Sequence, residues 1–268
     1  MLKRLFVILI AALSLASCGE YQRVLKSNDP EVRLDFARRA YEQQRYTQAA
    51  TALEGVAAIF KGSEKAEESL YLLGLCYFDN KDYDNSAETF RKYYTHYPKG
   101  KYAEMARFYT GYGYYLDSPE PQLDQTGTIR AIEELQSFLD YYPRSDRVSV
   151  AQNAIFELQD KLTLKQLENA QLYYNLGTYL DDNNYESAVI VARNAIKDYP
   201  YSKYKEDLEL LILKARYQEA RESVPEKRAD RYREVIDEYY SFINNYPDSP
   251  NRDEADNILK IARRYVKD

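Results

Sequence analysis

YDNSAETFRKYYTHYPKG, residues 83–100, sets a tyrosine at each end of a helical-looking run and follows the second one, Tyr97, with proline. Between Tyr83 and Tyr97 the apolar side chains Ala87, Phe90, Tyr93 and Tyr94 stand at offsets 4, 7, 10 and 11. That spacing lays them on one stripe of an α-helix, burying about a third of its surface. Pro98 then stops the helix, because it lacks a backbone N–H and restricts the residue before it. The phrase returns as Tyr142-Pro143, Tyr199-Pro200 and Tyr246-Pro247, each 14 residues beyond Thr128, Tyr185 and Tyr232 respectively. A fifth copy, Tyr46 to Phe60, has the same length without the proline. Each segment is predicted to be one helix. Ser145, Ser202 and Ser249, two residues past their prolines, are placed to cap the next helix, and Pro250 suits a first helical position. Gly100 takes the serine position in the copy quoted. Tyr-Pro-x-Gly/Ser therefore reads as stop, turn, restart.

Every segment follows another helical run, clearest in EESLYLLGLCYFDNKDY, residues 67–83. Leu70, Leu73, Gly74, Tyr77, Tyr83, Ala87, Phe90 and Pro98 together resemble the tetratricopeptide repeat, a helix pair of roughly 34 residues. The small Gly74 and Ala87 let the paired helices approach closely. The expected fold is all-α, a tetratricopeptide-repeat superhelix (α-solenoid) of about five helix pairs. The spacings between successive aromatic ends are 37, 45, 57 and 47 residues, so the repeats are unequal. The longer ones hold LDSPEPQLDQTGT, the extra helical stretch SVAQNAIFELQDKLTLKQLENA, and ESVPEKRAD.

The front of the chain is of another kind. MLKRLFVILIAALSLASC has a short positive region, Lys3 and Arg4, and then an apolar run too short to span a membrane. It ends in Leu15-Ala16-Ser17-Cys18, which resembles the bacterial lipobox. On that resemblance residues 1–17 are a lipoprotein signal peptide, and Cys18 begins the mature chain carrying diacylglycerol and an N-acyl chain. An ordinary signal peptide with a chance cysteine is the plainer alternative. Beyond residue 17, 35 basic residues face 43 acidic ones, which argues against nucleic-acid binding. Tyrosine is abundant, at 29 residues with no Trp, and suits surfaces where a ring packs and its hydroxyl stays wet. Cys76 lies in an apolar helical run and His96 is the sole histidine, so neither a zinc site nor a His-based triad is expected. No phosphate loop or nucleophile elbow is present, and the chain is not expected to be an enzyme.

Asp124-Gln125-Thr126, Ala131, Phe138, Tyr142-Pro143-x-Ser145, Leu162 with Lys165, Ala170, Tyr173-Tyr174, Tyr185 and Ala188, in this order behind a lipobox, resemble the BamD family. These are lipoprotein subunits of the β-barrel assembly machinery of Gram-negative outer membranes. The resemblance covers essentially the whole mature chain. It departs at Phe60-Lys61-Gly62, where Tyr-Pro would stand, and at Arg147, a position often aromatic in the family. It implies an outer-membrane, lipid-anchored scaffold facing the periplasm. Its partners would be a BamA-like barrel subunit, other subunits of the complex, unfolded outer-membrane proteins, and the membrane through the lipid. It also implies a division of labour: residues 18–28 as tether, 29–145 as substrate-binding repeats 1–3, and 146–268 as partner-binding repeats 4–5. Beyond the lipid no cofactor is implied. The alternative is a periplasmic repeat adaptor of the Tol-Pal or cell-division coordinator type.

For peptide binding the repeat register puts Tyr71, Leu75, Phe78, Phe108, Tyr112 and Tyr115 on the face lined by the first helices. Arg38 and Arg107 lie near in register and could attract a terminal carboxylate. The plainer reading makes these rings inter-helix core. Asp117, Glu120 and Asp124 invite a metal or phosphate reading, against which Thr126 or Thr128 capping the following helix is the simpler account. Residues 226–234, EKRADRYRE, read as a solvated face or a partner contact, and Asp181-Asp182 as an inter-helix turn.

Overall fold

A computed structural model of the chain describes residues 19–178 and 183–266. The signal segment, Cys18 and the Asp181-Asp182 pair lie outside the described residues. All secondary structure among the described residues is helical. A short helix α1 (19–26) precedes α2 (Pro30–Glu42), which pairs with α3 (Tyr46–Leu53) and α4 (Val56–Ile59). The next pairs are α5 (Glu64–Asp79) with α6 (Tyr83–His96), and α7 (Ala103–Leu116) with α8 (Thr126–Tyr141). Then come α9 (Val148–Leu176) with α10 (Asn184–Asp198), α11 (Lys205–Arg221) with α12 (Pro225–Asn245), and the last helix α13 (Arg252–Ala262). Five consecutive helix pairs of this kind are the tetratricopeptide arrangement.

The chain forms two compact units. One comprises the residues up to Ser118 with Thr126–Ile155, and the other Pro119–Gln125 with Phe156 onward. In the first, Leu34, Phe36, Ala52 and Leu53 fill the core of α2 and α3, and Phe90, Tyr93, Tyr94 and Ala106 that of α6 and α7. Cys76 is buried with the α2 and α3 core, and burial pushes its thiol up to about 12, with the Asp79 charge adding to the effect. Gly74 explains how α5 and α6 come so close: a Cβ there would lie 2.6 Å from the Phe90 ring.

Within the first two pairs the connection is a left-handed residue, Gln44 and Lys81 at φ near +60°. The next N–H reaches five residues back, from Arg45 to Ala40 and from Asp82 to Tyr77. This closes a Schellman motif that satisfies the last carbonyls of the first helix. Asp82 and Asn183 then cap α6 and α10 with their side chains.

Between pairs, one hydrogen-bond pattern serves all four Tyr-Pro sites. The N–H groups of Tyr97, Tyr142, Tyr199 and Tyr246 bond four residues back, at 2.8–2.9 Å. Their carbonyls accept from Gly100, Ser145, Ser202 and Ser249, whose carbonyls accept in turn from Ala103, Val148, Lys205 and Arg252. Phe60, Ser63 and Ala66 make the same two bonds, so the fifth copy closes its turn without the proline, there with Gly62 left-handed at φ +79°. The serines are not the helix caps that were expected. Each stands three residues before its helix, and its oxygen accepts the N–H two residues on: Arg147 at 3.1 Å, Tyr204 at 3.3 Å and Asn251 at 3.0 Å. They shape the turn itself. Two also latch it to the preceding pair, Ser202 donating to Asp160 at 2.7 Å and Ser249 to Glu206 at 2.6 Å. Pro250 likewise falls in the turn, two residues ahead of α13.

One further expectation is corrected, and two of the inserts take their place in the helices. The segment Tyr46–Phe60 is not one helix, because Gly55 at φ +77° breaks it into α3 and α4. The insert before Tyr232 is mostly helix, since Pro225 opens α12 two turns early. The extra helical stretch is no separate element but part of the 29-residue α9.

Candidate functional site

Tyr71, Leu75 and Phe78 recur at i, i+4 and i+7 on α5, and Phe108, Tyr112 and Tyr115 do the same on α7. That spacing puts each trio on one helical face. The first unit brings the five rings among them into one network. Phe78 lies 4.8 Å from Tyr109 and 6.5 Å from Tyr112. Tyr112 stacks on Phe108 at 5.1 Å and meets Tyr115 at 5.3 Å. Tyr71 stacks flat on Tyr102 at 4.2 Å and reaches Tyr109 through Phe90, at 5.6 and 5.4 Å. Leu75 packs against the same core. Phe108, Phe90 and Tyr93 are buried and form the floor, whereas Tyr71, Leu75, Phe78, Tyr109, Tyr112 and Tyr115 are half-exposed. Burial raises the hydroxyl pKa of Tyr71 and Tyr109, so these phenols stay neutral. The surface is therefore apolar and uncharged over its centre, with hydroxyl groups set into it.

The two arginines expected beside it are otherwise engaged. Arg38 forks onto Glu68 at 2.7 and 2.6 Å and also holds Asp35 at 2.7 Å. Arg107 is wedged between the rings of Tyr94, at 4.2 Å, and Tyr141, at 3.8 Å, and donates to Ser137 at 3.3 Å. Two other cations lie against the ring network: the Arg147 guanidinium 5.8 Å from the Phe108 ring, and the Lys101 ammonium 5.1 Å from the Tyr102 ring. The sequence signal of Arg147 was its departure from the family's aromatic preference. Position alone was silent, because the turn after Tyr142 decides that residue 147 returns over α7.

The acidic loop after α7 is held by amides and a lysine. Gln125 donates to the Glu120 carbonyl at 2.7 Å, Gln122 to the Glu168 carboxylate at 2.8 Å, and Lys165 to the Leu123 carbonyl at 2.6 Å. The sequence pieces around Gln125 and Lys165 thus meet in space. Thr126 opens α8, and Thr128 is buried inside it with its hydroxyl 2.7 Å from Ser118, so Thr128 is not the cap. Among the described residues no group of three or more His, Cys, Asp and Glu converges on a metal position. His96 bonds the Lys92 carbonyl one turn back on α6.

Within the second unit, the mixed-charge run is only partly solvated. Arg228 and Arg231 turn inward to Ser223, at 2.8 and 2.5 Å, and Arg231 meets the buried Glu219 at 3.2 Å. Glu219 also takes Arg216 at 2.8 Å and the Asn183 amide at 2.7 Å.

A family model named YfiO and described as an outer membrane lipoprotein matches residues 31–181. No curated protein matches the chain.

Proposed function

The chain belongs to the YfiO family of outer membrane lipoproteins, and on that premise we propose that it is a BamD-type scaffold of the β-barrel assembly complex. In this reading Cys18 carries the lipid and the repeats face the periplasm. The first unit binds unfolded outer-membrane proteins. The repeats after residue 146 bind the barrel-forming subunit, and the scaffold brings both together so that insertion begins. The observation that carries the substrate arm is the half-exposed ring face of α5 and α7. Rigid aromatic side chains give large contact area at little cost in conformational entropy, and they accept many apolar sequences. Such tolerance suits a protein that must take many unfolded clients.

Purification of the lipidated protein from native membranes tests the reading. The expected result is co-isolation of a barrel protein with periplasmic domains, and an N-terminal cysteine bearing three acyl chains. Isolation with cell-division or Tol-Pal components in its place would overturn it. The double variant Tyr112→Ala/Tyr115→Ala is expected to weaken binding of unfolded outer-membrane-protein peptides by about 2 kcal/mol, roughly thirtyfold. Fluorescence anisotropy measures this, with circular dichroism as the check that the fold is retained. Unchanged affinity in a folded variant would remove the ring face from the account.

A further inference from the structure

Helix α1 begins one residue after Cys18 and is packed on the repeats. Tyr21 stacks on Phe36 at 5.8 Å, Val24 is 5% exposed in the α2 and α3 core, and Glu20 pairs with Arg39 at 2.9 Å. The link to α2 is bonded as well. The Ser27 N–H donates to the Val24 carbonyl at 3.0 Å, the Asp29 N–H donates to Ser27 Oγ at 3.1 Å, and Asp29 caps α2. Contacts advance along α1 as they retreat along α2, residue 20 beside 39 and 21 beside 36, so the two helices run antiparallel. The first turn of α1 therefore stands at the C-terminal end of α2, next to the turn 43–45. Tyr41 donates to Asp79 at 2.5 Å and Thr47 to Asn80 at 3.4 Å, joining that turn to the next one, 80–82. The two within-pair turns thus share one edge of the first unit with the start of α1. The Tyr-Pro turn at 97–100 lies at the other end of α6, whose 14 residues span roughly 21 Å.

We propose that this edge is the membrane-facing side of the first unit, resting on lipid headgroups, and that the packed α1 holds it there. This rests on the lipidation of Cys18 proposed above and adds the orientation that the lipid imposes. Consecutive Cα atoms are about 3.8 Å apart, so an acylated Cys18 brings the bilayer surface to the first turn of α1. A slack tether of ten residues would span roughly 17 Å r.m.s. and let any face approach the membrane. With α1 packed, that freedom is gone, and the edge beside it stays nearest the lipid. Residues 42–44 and 79–81 on this edge are all exposed and all polar, which suits hydrated headgroups and not the acyl layer. The Tyr-Pro edge is left pointing away from the bilayer.

The test uses the full-length lipidated protein in phosphatidylcholine vesicles that contain a nitroxide-headgroup lipid, with a fluorophore on Gln43→Cys or on Lys99→Cys. Both positions are exposed and Cys76 is buried, so labelling is confined to the new thiol. Quenching at residue 43 is expected to exceed that at residue 99 at least about twofold, given the roughly 21 Å of helix between the two edges. A twelve-residue Gly-Ser insert between Cys18 and Gly19, about 19 Å r.m.s., is expected to remove most of the difference. Equal quenching at the two sites of a vesicle-bound protein overturns the inference and makes α1 a loose tether, while leaving the lipid in place. Stronger quenching at residue 99 also overturns it, by turning the Tyr-Pro edge to the membrane. A difference that survives the insert assigns the orientation to direct headgroup contact and overturns the role of α1. Failure to bind vesicles, with Cys18 unmodified by mass spectrometry, removes the lipid from the proposed function and the membrane-facing edge with it.

Discussion

Glu219→Ala is expected to lower the stability of the second unit by about 3–5 kcal/mol, the range for removing one partner of a buried ion pair. Its side chain is 6% exposed and stands between two arginines from different helices, Arg216 on α11 and Arg231 on α12. The Asn183 amide, which caps α10, occupies the same carboxylate. Burial works against the Arg216 charge, but the hydrogen bonds it donates to Glu219 and Glu186 outweigh it and raise the guanidinium pKa. Removing Glu219 leaves Arg216 with Glu186 and the half-exposed Glu234, and Arg231 with Ser223 alone. The cost is that of charges kept out of water with one carboxylate fewer, which differs from the small loss at an exposed pair. The comparison is Arg233→Ala, whose partner Asp230 is exposed and whose loss is expected to cost about 0–1 kcal/mol. Urea unfolding followed by circular dichroism measures both. A Glu219→Ala loss as small as that of Arg233→Ala would show the network to be solvent-screened.

The fold was legible because its punctuation is written in side chains with strong local rules. Proline after tyrosine ends the helix at all four sites, and the stripe between the two aromatic ends has only one period to fit. What stayed hidden depended on backbone choices that several sequences satisfy. Gly55 was read as an ordinary helical residue, but it is left-handed and the next residue, Val56, opens α4 fully buried. The serines were legible as turn residues but not in their role, since an oxygen two residues past proline serves a cap or a turn equally well. At the candidate site, the helical spacing of the two trios was enough to foretell a shared face. The charges around it were not readable, because each depends on what lies opposite. Arg38 finds Glu68, a residue 30 positions away, and Arg107 finds two tyrosines. Arg147 reaches Phe108 only through the geometry of the turn at Ser145.

Phe90→Ala is expected to cost about 3–5 kcal/mol in the first unit and to abolish peptide binding with it, which separates support from surface within one ring network. Phe90 is fully buried on α6, in the space that the missing side chain of Gly74 leaves open. Its ring is the link between Tyr71 on α5 and Tyr109 on α7, at 5.6 and 5.4 Å. Truncation opens a cavity between three helices, and they cannot close it without moving Tyr71 and Tyr109 off the face they form. Tyr112 and Tyr115 touch the same network from its half-exposed side, so alanine there removes contact area from a ligand and leaves the core filled. Phe90→Ala is thus expected to lower both the urea midpoint and peptide affinity, whereas Tyr112→Ala/Tyr115→Ala lowers affinity with a stability change of about 1 kcal/mol or less. Phe90→Leu, which retains much of the volume, is expected to recover most of both losses. If Phe90→Ala leaves the midpoint unchanged, the ring is not the wedge that sets α5 against α7. If it lowers the midpoint but spares the affinity, the face binds without needing α5 and α7 held in register. The wedge account requires the two losses to appear together in Phe90→Ala and to come apart in the tyrosine variants.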